Sequence, residues 1–108
     1  VNTRILDLMH KNAGDLEKFK KFFASLHSGK ELSYYFITAH PGSSMQEAEE
    51  LAHAIKNLKN ADDVQIFIPT PMTESTCMYY TGLDLKKKKI YVPYTYKEKK
   101  EQKRVIYK

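Results

Sequence analysis

Apolar positions recur at helical spacing through the first quarter of the chain. Ile5, Leu6, Leu8 and Met9 mark one face of a short helix, expected to be the tail of a longer one, and Asn12 to Gly14 breaks it. Leu16, Phe19, Phe22, Phe23 and Leu26 then repeat with the period of a second helix face. Asp15 and Glu17 stand where a helix start favours negative charge, and His27 and Gly29 mark the close, so this helix is expected to open at Asp15. The pattern changes at Leu32. Leu32 to Ala39 is aromatic and β-branched without clean alternation, which suits a strand buried on both faces, as in a parallel sheet. His40-Pro41-Gly42 stops it. Ser44, with Glu47 three residues on, forms a capping box for a third helix whose buried stripe is Ala48, Leu51, Ala52, Ile55 and Leu58. After Asn60 the chain turns into a second short apolar strand, Val64 to Ile68. Strand, helix and strand in this order make a crossover unit, right-handed in nearly all known cases.

Pro69 and Pro71 end the second strand. Met78 to Tyr80 and Ile90 to Val92 are expected to pair as a small β-hairpin across Gly82-Leu83-Asp84. Thr95 with Glu98 offers another capping box, opening a C-terminal helix through about Ile106 in which Val105 and Ile106 are the aliphatic anchors. The fold class is therefore α/β: two parallel strands with a crossover helix, a small hairpin and a C-terminal helix. Two such strands make a very small sheet, and about three good helices leave one face or edge under-covered. An open edge invites self-association. Either further strands precede Val1 in the native protein, which is the favoured expectation, or a small domain dimerises through that edge.

Composition adds bounds. A chain of 108 residues with 42% hydrophobic content is one domain or part of one. No apolar stretch approaches the roughly 20 residues of a membrane span, and Val1 to His10 lacks the order of a secretory signal. A cytoplasmic location without membrane contact is expected. Cys77 stands alone, which rules out an internal disulfide and a self-contained thiolate metal site. His10, His27 and His53 have no metal-ligand spacing. Charge divides the chain: residues 1–84 are mildly acidic, whereas residues 85–108 carry ten basic and two acidic side chains. That basic tail interleaves Tyr91, Tyr94, Tyr96 and Tyr107 with lysines and Arg104, and stacking plus cations is the chemistry of single-stranded nucleic-acid binding. A charge run is more often a solvated helix face, so RNA is the minor expectation here.

Two stretches carry a resemblance. Tyr35-Phe36-Ile37-Thr38-Ala39-His40-Pro41-Gly42-Ser43-Ser44 leads into an amphipathic helix. Gln65-Ile66-Phe67-Ile68-Pro69-Thr70-Pro71-Met72-Thr73 continues through Ser75-Thr76-Cys77-Met78-Tyr79-Tyr80-Thr81-Gly82. In this order and spacing the chain resembles the C-terminal part of the YgiQ-type (UPF0313) radical S-adenosylmethionine proteins, most clearly from about Tyr34 to Pro93. The resemblance implies a partial barrel of parallel strands, to which residues 1–84 contribute late strands and residues 85–108 a basic tail. It also implies two cofactors in the parent protein, S-adenosylmethionine and a four-iron four-sulfur cluster held by three closely spaced cysteines. Those cysteines are absent here, so the fragment alone is expected to be inactive and to bind neither cofactor, its partner being the remainder of its own radical domain.

Barrel enzymes place function at the C-terminal ends of their strands. By the same resemblance, Ile37 and Thr38 lie near the adenosyl group, and Phe67, Ile68 and Pro69 line the adenine. His40, at a strand end, would bind substrate or relay protons, or else be a satisfied polar residue in a strand-to-helix loop. Cys77, beside Met78 and Tyr79, is expected to be packing. No catalytic residue is assigned. The competing reading is a stand-alone α/β binding module that uses its tyrosine-rich basic tail for RNA or a protein partner, and it requires a closed, well-packed core.

Overall fold

Two short strands pair in parallel, β1 (Tyr34–Thr38) and β2 (Ala61–Ile66), with Phe36 opposite Val64 and Thr38 opposite Ile66. The computed structural model describes residues 2–58 and 61–107, so the turn expected at Asn60 lies outside the described residues. Around the strands run α1 (Thr3–Leu8), α2 (Ala13–Ser25), α3 (Met45–Lys56), α4 (Glu74–Thr81) and α5 (Tyr96–Ile106). Helix α3 connects the strands, packs against α5, and α5 in turn touches both strands. The core lies between this helix layer and one face of the sheet: Phe36, Ala52, Val64 and Ile106, flanked by Tyr34, Leu51, Ile55, Leu58 and Val105.

Local chemistry sets the helix starts. Asn2 accepts the Ile5 N–H to cap α1, which therefore begins at Thr3. Asn12 accepts the Gly14 N–H at 2.8 Å, so α2 opens at Ala13, ahead of the expected Asp15. Both capping boxes form as expected, Ser44 with Glu47 and Thr95 with Glu98. The basic segment is tied down by more than its aliphatic anchors. Gln102 is buried in α5, donating to the Ser43 carbonyl at 2.7 Å and accepting from the Ser43 hydroxyl at 3.0 Å.

Four expectations are corrected. Met78 to Tyr80 do not form a hairpin strand: they lie in α4, capped by Thr73 and closed by Gly82 at φ +67°. What remains of the hairpin is a single antiparallel bridge between Leu83 and Lys89. The second strand runs three residues earlier than expected at its start and stops at Ile66, because only that stretch keeps register with β1. The first strand is not buried on both faces. Phe36 and Thr38 face the helices, whereas Tyr35 is 73% and Ile37 46% exposed on the other side. Finally, Cys77 is exposed, and it is its neighbour Met78 that packs inside.

Candidate functional site

The exits of the two strands meet. Past Thr38 the backbone continues one rung of the ladder, the Phe67 N–H donating to the Thr38 carbonyl at 2.8 Å. The β1 exit then turns sharply, with Ala39 at φ +57° and Gly42 at φ +91°. A side chain on Gly42 would meet Leu8 of α1, since an added Cβ would stand 2.5 Å from its Cδ1. The turn is pinned from both sides: the Gly42 N–H donates to the Tyr91 carbonyl at 2.7 Å and Arg4 donates to the Gly42 carbonyl.

His40 is the centre of this turn and only 2% exposed. One ring nitrogen, Nδ1, lies 2.9 Å from the Pro41 carbonyl, which can only accept, so Nδ1 carries the proton. Nε2, at 2.7 Å from Ser75 Oγ, then accepts from the Ser75 hydroxyl in the neutral ring. Burial pushes the His40 pKa down, and nearby Lys11 adds to this, while the Pro41 bond opposes it. Both nitrogens are occupied by the fold, tying the β1 exit to the first turn of α4. An aromatic chain continues the contact: His40 to Phe67 at 5.1 Å, Phe67 to Tyr79 at 5.9 Å, and Tyr79 to Tyr94 at 5.1 Å.

In front of the exits lies a cleft of about 500 Å³, bordered by Ile37, His40, Phe67, Ile68, Thr70 and Ser75 among others. Of the six residues singled out in the sequence, Ile37, His40, Phe67 and Ile68 border it. The Thr38 side chain points to the helix layer, where its buried hydroxyl has no hydrogen-bond partner among the described residues, so only its backbone reaches the exit. Pro69 lines a neighbouring groove beside α5 instead. Sequence reasoning missed Ser75, whose link to His40 crosses 35 residues and leaves no local pattern. Among the described residues no group of three His, Cys, Asp or Glu side chains could hold a metal ion, and no helix is long and apolar enough to cross a membrane.

The curated relatives decide the family. A UPF0313 protein of Methanocaldococcus jannaschii is 47% identical over 92 residues, 83% of this chain and 15% of the relative. One from Clostridium botulinum is 37% identical across 98% of the chain, and one from Methanosarcina acetivorans 39% across 96%. The chain belongs to the UPF0313 family. It spans 15% to 18% of the length of these UPF0313 relatives. No family model matches the chain, and no solved structure matches it.

Acid should loosen the UPF0313 exit turn in two steps. An unfolded histidine titrates near 6.5, whereas folded His40 resists protonation, so the unfolded state binds more protons below that pH. Stability is thus present above about pH 6.5 and declines as pH falls toward the depressed folded value. Glu47 follows at lower pH. Burial alone would raise its pKa, but hydrogen bonds from Ser44 and from Arg4 hold it at about 2, against an ordinary 4.5. Its contribution is lost between those values. Urea midpoints measured from pH 8 to 3 should fall in both windows, and His40→Gln should flatten the upper one. A midpoint unchanged between pH 7 and 5 would show that His40 is not held neutral by its surroundings.

Proposed function

We propose that the chain forms late strands of a radical S-adenosylmethionine barrel within a longer UPF0313 protein, with the shared exit of β1 and β2 lining the adenosyl part of that cofactor. One observation carries this reading: two parallel strands end at a single cleft, while Tyr35 and Ile37, on the sheet face away from α3 and α5, stay 73% and 46% exposed. A closed, self-sufficient module would cover that face. Its partial exposure therefore favours the enzyme segment over a stand-alone binding domain.

The cleft suits the nucleoside end of the cofactor. Its volume of about 500 Å³ falls in the range of small-molecule sites, and Ile37, Phe67 and Ile68 supply apolar walls for a purine. Thr38 would contribute through its backbone, Pro69 would shape the following turn, and His40 would hold the exit rigid through Pro41 and Ser75. Bound there, the cofactor supplies radical chemistry. The iron–sulfur cluster does not fit this chain: Cys77 is its one cysteine, and it is exposed on α4. Cluster ligands belong to the rest of the longer protein, which is the first partner of this segment. The reaction and its substrate stay unassigned, because barrel membership selects neither.

The test uses the full-length protein, reconstituted anaerobically with iron and sulfide and titrated calorimetrically with S-adenosylmethionine. Binding is expected, with reductive formation of 5′-deoxyadenosine as a second readout. Ile68→Asp should weaken binding about ten-fold or more by setting a carboxylate against the apolar wall. Ile68 is 60% exposed, so the variant should fold. A folded full-length protein that ignores S-adenosylmethionine, or an Ile68→Asp variant that binds it unchanged, would defeat the proposal.

A further inference from the structure

Helix α5 carries a stripe that neither the core nor the cleft explains. Tyr96, Lys100, Lys103 and Tyr107 stand four, three and four residues apart, which places them along one helix face. Lys100 lies over the Tyr96 ring at 5.0 Å and Lys103 over the Tyr107 ring at 5.9 Å. Each ring is more than half exposed, 69% for Tyr96 and 62% for Tyr107. Gln102 and Ile106, the residues this helix buries, lie roughly a third of a turn around from the stripe. So the stripe runs along the flank of a helix whose orientation those buried residues fix, on the side that meets β2.

Among the described residues its charge meets no ion-pair partner. The ion pairs among the described residues are Arg4–Glu47, His10–Glu74 and Lys20–Glu17, and none uses a cation of α5. Of the two acids in the segment, Glu98 is engaged by Thr95 and by the Tyr91 hydroxyl, leaving Glu101 as the remaining counter-charge. Lys86 to Lys89 extend the positive surface from a turn whose backbone Asp84 fixes, accepting from the Lys86 and Lys88 N–H groups while all four side chains stay exposed. Beside the stripe, Tyr96, Lys99 and Lys103 form one wall of a groove of about 450 Å³, with Gln65 to Pro69 opposite. Asp63 is the acid in that groove, and its carboxylate is occupied by the Val64 N–H at 2.8 Å and faces the Tyr107 hydroxyl at 3.4 Å.

We infer that this face binds single-stranded nucleic acid. Cations at helical spacing take the phosphates and the exposed tyrosines stack the bases, a combination that a merely solvated charged helix does not need. A duplex would offer the phosphates while withholding its base faces, so the tyrosines favour the single strand. The inference rests on α5 and the lysine turn alone and stands whether or not the strand exits bind a cofactor.

Fluorescence anisotropy of a labelled single-stranded RNA 20-mer, titrated with the chain at two salt concentrations, tests it. Affinity should fall with salt at a log–log slope of about −0.7 for each phosphate neutralised, and Lys100→Gln with Lys103→Gln should make that slope shallower by about 1.4. Tyr96→Ala should weaken binding about ten-fold at fixed salt. Far-UV circular dichroism confirms that these surface variants remain folded. Salt-independent or undetectable binding overturns the inference. Equal affinity for a duplex or for heparin, with Tyr96→Ala silent, also overturns it and leaves only a general polyanion surface.

Discussion

Phe36→Ala is expected to lower the melting temperature by about 12 °C or more. Removing a buried aromatic ring costs about 3–5 kcal/mol, and a domain of this size loses roughly 4–8 °C per kcal/mol. The loss falls on a core with little in reserve. Phe36 meets Ala52, Val64 and Ile106, and an alanine neighbour cannot swing in to fill the space. A natural domain has a net stability of about 5–15 kcal/mol, so this one ring accounts for a large share. Tyr35→Ala is the matched control. It is the next residue on the same strand, but it points to the uncovered face and is 73% exposed, so its removal should change stability by about 0.5 kcal/mol or less. Thermal melts of the pair therefore test the one-sided sheet directly. Comparable losses at Tyr35 and Phe36 would mean that both faces are covered.

The same contrast shows what the sequence made legible. Tyr34 to Thr38 is apolar or aromatic on both sides of the strand, and that reads as burial on two faces. The folded chain covers only the side that α3 and α5 reach. Helix starts that depend on neighbours three residues apart, Ser44 with Glu47 and Thr95 with Glu98, could be read because the whole interaction is local. Helix α4 was harder, since Met78, Tyr79 and Tyr80 favour a strand by type. Its signals were Thr73, whose hydroxyl accepts the Thr76 N–H, and the left-handed Gly82 eight residues after Glu74. They outweigh propensity here because each satisfies a backbone group at a helix end. The position of β2 could not be read, because its register is set by β1. His40 was visible as a residue of interest, but its partner Ser75 arrives only when α4 folds against the strand exits.

Met78→Ala tests that last link, with an expected cost of about 2–5 kcal/mol. Met78 is 1% exposed, the largest fully enclosed side chain, and it sits in α4 between the residues that reach the strand exits. Ser75 lies one turn earlier and bonds His40; Tyr79 follows immediately and packs at a tilt against Phe67. Leaving a cavity at Met78 should therefore loosen the whole helix from the exits. The effect would reach His40 as well. With α4 displaced, water gains access to the imidazole, the penalty on its charged form shrinks, and its pKa rises toward the unfolded value. The stability loss expected near pH 6.5 in the parent chain should then become smaller in Met78→Ala, on top of the lower overall stability. Met78→Leu, which nearly conserves volume, should cost less than about 1.5 kcal/mol and keep the pH step. Urea denaturation at pH 7.5 and 5.5 for the three proteins separates these outcomes. A large loss in Met78→Ala with an unchanged pH step would show that the helix stays docked through Ser75, and that Met78 holds the core without governing the strand exits.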